Sequence, residues 1–314
     1  MKVGIATLGC KVNQCDTAVL VRDLQSANFT PVPFNAFADA YIINTCTVTA
    51  FADFQARQLI RRALRVNPRA RIIVTGCYAQ TRSQTLADID GVTLVVGNDQ
   101  KHRIPELLSN PVQNSHRIYA ADIFLQKQFP ATTASVLTGR TRAFFKIQDG
   151  CDAFCSYCIV PFARGKSRSL PFSGVLAGVQ NFILQDYQEI VLTGIHLGYY
   201  GHDLQPQTDL ARTLETLLSK NPRARFRLSS IEPNEISDEL LHLFGRHDNL
   251  CPHLHIPLQS GDDAILKTMK RRYDNAFYRA LIEKVVKMVE DIAIGIDVMV
   301  GFPGEGEKEF DNTR

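Results

Sequence analysis

The chain has no apolar run approaching the roughly 18 residues that cross a bilayer, and residues 1–9 read as a strand with no basic stretch or cleavage site before them. A membrane partner and an export signal are therefore not expected, and the cytoplasm is the expected compartment. There is no internal repeat and no low-complexity tract. Charge of one sign is also scarce: a formal net charge of +3 over 314 residues does not by itself argue for a nucleic-acid partner.

What is present is an ordinary soluble composition, 45% hydrophobic and 21% charged, enough for a sizeable core and for about two domains. Local charge is more pointed than the total. Arg57, Arg61, Arg62 and Arg65 recur at helical spacing, and Arg164, Lys166 and Arg168 follow a cysteine cluster. For the first group a solvated helix face and an RNA contact both remain open. The eight cysteines, with no secretory signal, point to metal or redox chemistry rather than disulfides.

The N-terminal hundred residues alternate short β-branched apolar runs (3–8, 41–43, 71–75, 93–96) with helix-like stretches such as 14–27 and 52–64, the rhythm of a parallel sheet flanked by helices. Residues 111–140 show no sustained periodicity and read as a linker carrying a short edge strand. From 141 the alternation resumes, with strands expected at 144–147, 189–192, 226–228, 253–256 and 292–300 and helices at 171–185, 262–269 and 277–288. This is the pattern of a partial barrel of β/α units. The expected division is 1–110, 111–140 and 141–314, the last being C-terminally incomplete.

Two cysteine triples carry the chemistry. Cys151-Asp152-Ala153-Phe154-Cys155-Ser156-Tyr157-Cys158 follows a predicted strand, and with this many cysteines its spacing would arise by chance roughly once in 200 such chains. Structural zinc takes four ligands, and no fourth lies nearby in sequence. A 4Fe-4S cluster held by three thiolates leaves one iron open to a ligand bearing an amine and a carboxylate. The second triple is dispersed. Cys10, Cys46 and Cys77 each stand one to three residues beyond a predicted strand, and strand ends of an open parallel sheet share the edge where ligands bind. Buried small hydrophobes are the other reading of these three.

Several stretches resemble the methylthiotransferase family. They include Thr7-Leu8-Gly9-Cys10-Lys11-Val12-Asn13-Gln14, Asn44-Thr45-Cys46-Thr47-Val48-Thr49 and Thr75-Gly76-Cys77-Tyr78-Ala79-Gln80. Others are Gln148-Asp149-Gly150-Cys151 through Cys158, residues 161–169 including Ala163-Arg164-Gly165, Leu192-Thr193-Gly194, residues 228–233, His255-Ile256-Pro257-Leu258-Gln259-Ser260-Gly261, residues 269–273 and Gly301-Phe302-Pro303-Gly304-Glu305. The resemblance covers nearly the whole chain in order. It implies a flavodoxin-like open parallel sheet followed by a partial barrel of the radical S-adenosylmethionine type. The form of residues 9–14 is similar to the branch acting on N6-threonylcarbamoyladenosine beside the tRNA anticodon; sister branches act on isopentenyladenosine or on an aspartate of a ribosomal protein. A non-catalytic cluster-binding module is the reading from a different class. Cys15 stands where relatives carry an aromatic residue, the chain lacks the small RNA-binding β-barrel that relatives carry at their C-termini, and no role is assigned to Cys251.

The resemblance further implies two 4Fe-4S clusters, on Cys151, Cys155 and Cys158 and on Cys10, Cys46 and Cys77, with S-adenosylmethionine at the first, the two sites facing each other across the domain junction. Tyr157 is expected against the adenine, and Thr193, Gly194, Ser229, Ser230, Glu232 and Gln259, at strand ends, around the cofactor. Arg164 and Arg168 are candidates for an RNA phosphate or a substrate carboxylate. The implied partners are tRNA, a flavodoxin-like or ferredoxin-like electron donor and a sulfur donor. Asn13, Asn44 and the threonines near Cys46 either bond cluster sulfurs or fix loops. His196, His253 and His255, lacking a paired carboxylate motif, read as structural.

Overall fold

The computed structural model describes residues 1–110, 117–130 and 141–314. The chain divides into two compact units, Met1–Arg140 with Ile159–Lys166, and Thr141–Cys158 with Ser167–Arg314. Residues 159–166, expected inside the second domain, group with the first. Pro111 and the Thr/Ser-rich end of the expected linker lie outside the described residues.

The first unit is an all-parallel sheet of β1 (Lys2–Thr7), β2 (Thr30–Val32), β3 (Ala40–Thr45), β4 (Arg71–Gly76), β5 (Val92–Val96) and β6 (Ile118–Tyr119), ordered β2-β1-β3-β4-β5-β6. Alternation along the strands fills both faces. Tyr41, Ile43, Ile72 and Val74 point into one apolar cluster, and Ala40, Ile42 and Ile73 into the other. All six residues of β3 are buried, as a central parallel strand covered on both sides requires. Helix α1 (Lys11–Ser26) supplies Leu20 and Leu24 to one face; α2 (Ala50–Val66) supplies Ala56, Ile60 and Ala63 to the other. The Thr49 hydroxyl caps α2 by accepting from the Ala52 amide at 3.1 Å. Short helices α3 (Cys77–Thr81), α4 (Ser83–Ala87) and α5 (Ile104–Ser109) follow β4 and β5, and α6 (Val160–Arg164) packs on α3.

In the second unit β7 (Arg142–Lys146), β10 (Glu189–Thr193) and β11 (Arg225–Leu228) form a parallel sheet, ordered β11-β10-β7. Single bridges at Phe226–Leu250 and Ser230–His255 continue it to β12 (His253–His255), which pairs in parallel with β13 (Ala293–Gly295). The result is an open run of five parallel strands. A two-residue antiparallel pair, β8 (Gln148–Asp149) and β9 (Arg168–Ser169), stands beside β7. Helices α7 (Phe172–Leu184), α8 (Leu210–Lys220), α9 (Asp238–Arg246), α10 (Asp263–Thr268), α11 (Asn275–Met288) and α12 (Glu307–Thr313) complete the unit. Asp209, Ser237, Asp262 and Asp274 cap α8 to α11 with side-chain oxygens. The strand expected at 292–300 is regular only over Ala293–Gly295. Beyond it Ile296, Val298 and Val300 are exposed, so no facing layer holds them straight. Among the described residues no helix is long and apolar enough to cross a membrane.

The second unit's core is tightly closed where α7 meets β7. A Cβ on Gly178 would lie 2.2 Å from Phe145 Cζ, and that ring is held edge-on to Phe182 at 5.3 Å. Gly178→Ala gains about 1 kcal/mol of helix propensity and loses about 1–3 kcal/mol to overpacking. A net loss is expected, read as a lower urea midpoint; a raised midpoint would contradict this packing.

Candidate metal centres

Cys46 and Cys77 directly follow β3 and β4, and Cys10 stands three residues past β1; the three strands are adjacent in one parallel sheet. The chain direction of crossover reverses between β1 and β3, and ligands of open α/β sheets sit in the crevice this creates. Two glycines bring the loops into contact. Gly9, at φ +92°, has no room for a side chain: its Cβ would stand 2.7 Å from Cys46 Cβ and 2.9 Å from Cys46 Sγ. Gly76, at φ +97°, would place a Cβ 2.4 Å from the Thr45 carbonyl and 2.6 Å from Asn44 Oδ1. The loop before the first cysteine thus lies on the second cysteine, and Gly76, the last residue of β4, closes on its strand partner Thr45, which precedes the second.

Amide and hydroxyl bonds hold this arrangement. Asn13 Nδ2 donates to the carbonyls of Leu8 at 2.8 Å and Thr45 at 3.0 Å. Asn44 Nδ2 donates to the Asn13 carbonyl and to Thr17 Oγ1, both at 2.9 Å, and Thr45 Oγ1 donates to the Thr75 carbonyl at 2.5 Å. Of the two roles open to Asn13, Asn44 and the threonines, these bonds serve the fixing of loops.

Burial raises the Cys46 thiol pKa, the backbone amides of Val48 and Thr47 oppose that, and the neighbouring Cys77 and Cys10 reinforce it. Cys10 is exposed while Cys46 and Cys77 are buried, so the trio has one open side. Asn98 Nδ2 approaches Cys77 Sγ at 3.8 Å and donates to the Ala163 carbonyl at 2.9 Å. Cys15 is buried in α1, and buried Cys251 receives a bond from Arg225 Nη2 at 3.2 Å.

Arg164 is not presented to a ligand. It is 2% exposed, and its guanidinium bonds Asn13 Oδ1 and pairs with Asp16 at 3.0 Å. Lys101 approaches the same carboxylate at 3.1 Å and Asn44 Oδ1 at 3.3 Å. Arg168 is likewise buried, at 5%. Arg164 closes α6, which groups with the first unit, and Arg168 lies in the β8–β9 pair.

In the second unit the Cys151–Cys158 loop is anchored along its length. Ser156 donates from its amide to the Met269 carbonyl at 3.1 Å and from its hydroxyl to the Thr268 carbonyl at 2.9 Å. Arg271 Nη1 lies 3.3 Å from Cys155 Sγ, while its other nitrogen pairs with Glu232. The Ala153 amide reaches Cys151 Sγ at 3.4 Å, and His196 Nδ1 stands 3.6 Å from the same sulfur. Burial lowers the His196 pKa, but its bonds to Cys151 and Glu235 outweigh that and lift it to about 10. An imidazolium donates from both nitrogens, toward sulfur on one side and Glu235 on the other. Fully buried Gln148 sets the turn before Cys151, accepting from the His196 amide at 2.7 Å and donating to the Gly150 carbonyl at 2.9 Å and Ser167 Oγ at 2.8 Å.

The polar candidates fall into three groups. Tyr157, Glu232 and Cys155 share Arg271: Glu232 forms the ion pair, burial raises its carboxyl pKa, and burial likewise raises that of the Tyr157 phenol. The Tyr157 ring meets Phe302 edge-on at 6.3 Å. Ser230 Oγ bonds His255 Nδ1 at 2.7 Å, and Asp297 stands 3.5 Å from the other imidazole nitrogen. Thr193 and Gly194 end β10 beside Gln148. Among the described residues the buried Ser229 hydroxyl has no partner, and Gln259 adopts φ +66° opposite Val298. His253, which ends no site, lies on β12. Sequence reasoning missed Arg271, Glu235 and Asn98, and gave no role to Gln148 although it opens the matched stretch 148–158. Arg271 lay inside the matched stretch 269–273, the one signal that could have pointed to it.

Residues 2–97 match the uncharacterized protein family UPF0004 and residues 145–314 match the radical SAM superfamily. The threonylcarbamoyladenosine tRNA methylthiotransferase MtaB of Bacillus subtilis is 41% identical over 318 residues, spanning 99% of this chain and 69% of the relative. Its namesake in Aquifex aeolicus is 37% identical over 314 residues, spanning 100% and 76%. Among solved structures, the radical S-adenosylmethionine methyltransferase TsrM of Kitasatospora setae superposes with a TM-score of 0.69 at 13% identity, covering 98% of this chain and 69% of that one, which establishes likeness of fold. Fold and loop together define a radical SAM enzyme. More narrowly, the chain belongs to the methylthiotransferase family.

Membership of the superfamily implies a 4Fe-4S cluster and S-adenosylmethionine, and the residues fit them. Cys151 and Cys155 each have a donor at sulfur, suited to ligating thiolates, and an orphaned buried hydroxyl, Ser229, awaits a polar partner. Among the described residues no three His, Cys, Asp or Glu converge closely enough for a single ion. Tetrahedral zinc, at about 2.3 Å from each sulfur, would require that convergence.

The Arg164–Asp16 pair is a structural clamp inside the first unit. Arg164→Met, which leaves the buried carboxylate short of a partner, is expected to cost about 3 kcal/mol by urea unfolding of the metal-free chain. Asp16→Asn in the same background should recover part of that loss. An Arg164→Met chain as stable as wild type would contradict the clamp.

Proposed function

We propose that this enzyme adds a methylthio group to carbon 2 of N6-threonylcarbamoyladenosine next to the anticodon of tRNA. The observation that carries the substrate is similarity over nearly the whole of this chain to relatives bearing that name, at up to 41% identity. The form Gly9-Cys10-Lys11-Val12-Asn13-Gln14 agrees with it. Carbon 2 of an aromatic ring bears a hydrogen with no usable acidity, so general acid–base residues have little to act on. That accords with cofactor-borne chemistry.

When bound at Cys151, Cys155 and Cys158, the cluster with S-adenosylmethionine supplies an electron and a carbon radical. The chain's part is to bind, orient and exclude water. Arg271 and His196 hold two of the thiols and, as cations, offset their negative charge. Ser229, Ser230, Thr193, Gly194, Glu232 and Gln259 offer polar contacts for the amino-acid and ribose portions, and Tyr157 a face for the adenine. We assign Cys10, Cys46 and Cys77 to a second 4Fe-4S cluster that presents the incoming sulfur. The loop contacts at Gly9 and Gly76 support this, because they bring three cysteines from separate strands to one edge. An external electron donor of the flavodoxin or ferredoxin kind and a separate sulfur donor complete the stoichiometry.

Nucleosides from tRNA of cells lacking the gene, analysed by mass spectrometry, should contain threonylcarbamoyladenosine without its methylthio derivative. The derivative should return on complementation with the intact gene but not with Cys77→Ala. Unchanged tRNA in the deletion strain would sink the substrate assignment. A missing methylthio group on isopentenyladenosine or on a ribosomal protein would move the chain to a sister branch.

A further inference from the structure

Helix α2 begins four residues after Cys46 and has two unlike faces. Ala52, Ala56, Ile60 and Ala63 are buried on one, packed on the sheet. At 3.6 residues per turn, Phe51, Phe54, Gln55, Gln58, Arg62 and Arg65 fall on the opposite stripe, with Arg61 at its border. Phe51 and Phe54 are 64% and 45% exposed, with their rings stacked at 6.4 Å and 29°. Arg61, Arg62 and Arg65 are exposed, and among the described residues none has a carboxylate partner. Arg57, Arg61, Arg62 and Arg65 against Asp53 leave this one helix at +3, equal to the formal net charge of the whole chain.

A groove of about 450 Å³ runs along the basic part of the stripe. Its walls include Gln55, Gln58, Leu59 and the three arginines, and it is closed by Leu8, two residues before Cys10. The surface therefore starts beside the first cysteine trio and extends away from it for about 21 Å between Phe51 and Arg65. An aromatic pair beside uncompensated arginines is what a single strand of nucleic acid requires: rings for a base to stack on and forked cations for phosphates. A protein partner would call for a broader apolar centre, and here two phenylalanines stand in polar and basic surroundings.

We propose that the solvated face of α2 is an RNA-binding surface, with Arg61, Arg62 and Arg65 on consecutive phosphates and Phe51 and Phe54 stacking a base of the strand that carries the target nucleotide. The assignment rests on the tRNA reading above and adds to it a specific docking face on the cluster-bearing unit.

Anisotropy titrations of the full chain with fluorescent tRNA, at a series of salt concentrations, separate the two kinds of contact. R61Q/R62Q/R65Q should reduce the slope of log affinity against log salt by about 2 to 3. The charge-preserving R61K/R62K/R65K should retain most of that slope. F51A/F54A should weaken binding about tenfold or more with the slope unchanged. Wild-type affinity and slope in the glutamine triple variant, or equal loss in the lysine and glutamine variants, would overturn the surface while leaving the tRNA substrate standing. A wild-type chain that bound no tRNA, yet restored the methylthio group in cells, would overturn the surface alone; failure of both assays would remove the tRNA reading as well.

Discussion

The contact of three strand-end loops through two glycines is the constraint on which the first unit's site depends. A parallel sheet spaces its strands by about 4.8 Å, and side chains on neighbouring loops normally push the loops apart. Gly9 and Gly76, both at positive φ, remove the side chain where one loop meets the Cys46 side chain and where β4 meets the Thr45 backbone. Cys46, just past the central strand β3, becomes the middle of a set rather than an isolated thiol. Around it, Asn13 and Asn44 replace the backbone bonds that such tight loops forgo.

Charge supports that geometry from behind. Asp16, Arg164 and Lys101 form a buried network whose members also bond Asn13 and Asn44, so the amide side chains that join the loops are themselves held. The second unit repeats the principle with different residues. Gln148 fixes the turn before Cys151, Arg271 and Ser156 hold the middle of the loop, and His196 joins Cys151 to Glu235. In both units the cysteines are placed by polar side chains from distant parts of the sequence, while the apolar core only sets the strands.

That division explains what the sequence made legible. The strands and their parallel order follow from periodicity, since β-branched residues at 41–43 and 71–75 can be buried on both faces only in a central strand. Both cysteine triples were visible as spacing or as position after a strand. The short β2, with one proline among three residues, and the fragmentary β13 gave no periodic signal. The partners of Arg164, Asp16 and Asn13, lie about 150 positions away, so nothing local in the sequence announced them. Glu235 and Asn98 were invisible for the same reason, and Arg271 showed only as one residue of the matched stretch 269–273. Their roles consist of long-range hydrogen bonds, which leave no local pattern.

The central claim is that Cys10, Cys46 and Cys77 hold a metal cluster of their own. Iron and acid-labile sulfide in the anaerobically reconstituted full chain measure it most directly. About eight irons per chain, falling to about four in the variant with Cys10, Cys46 and Cys77 replaced by alanine, is the predicted result. About four irons in both proteins would contradict the account.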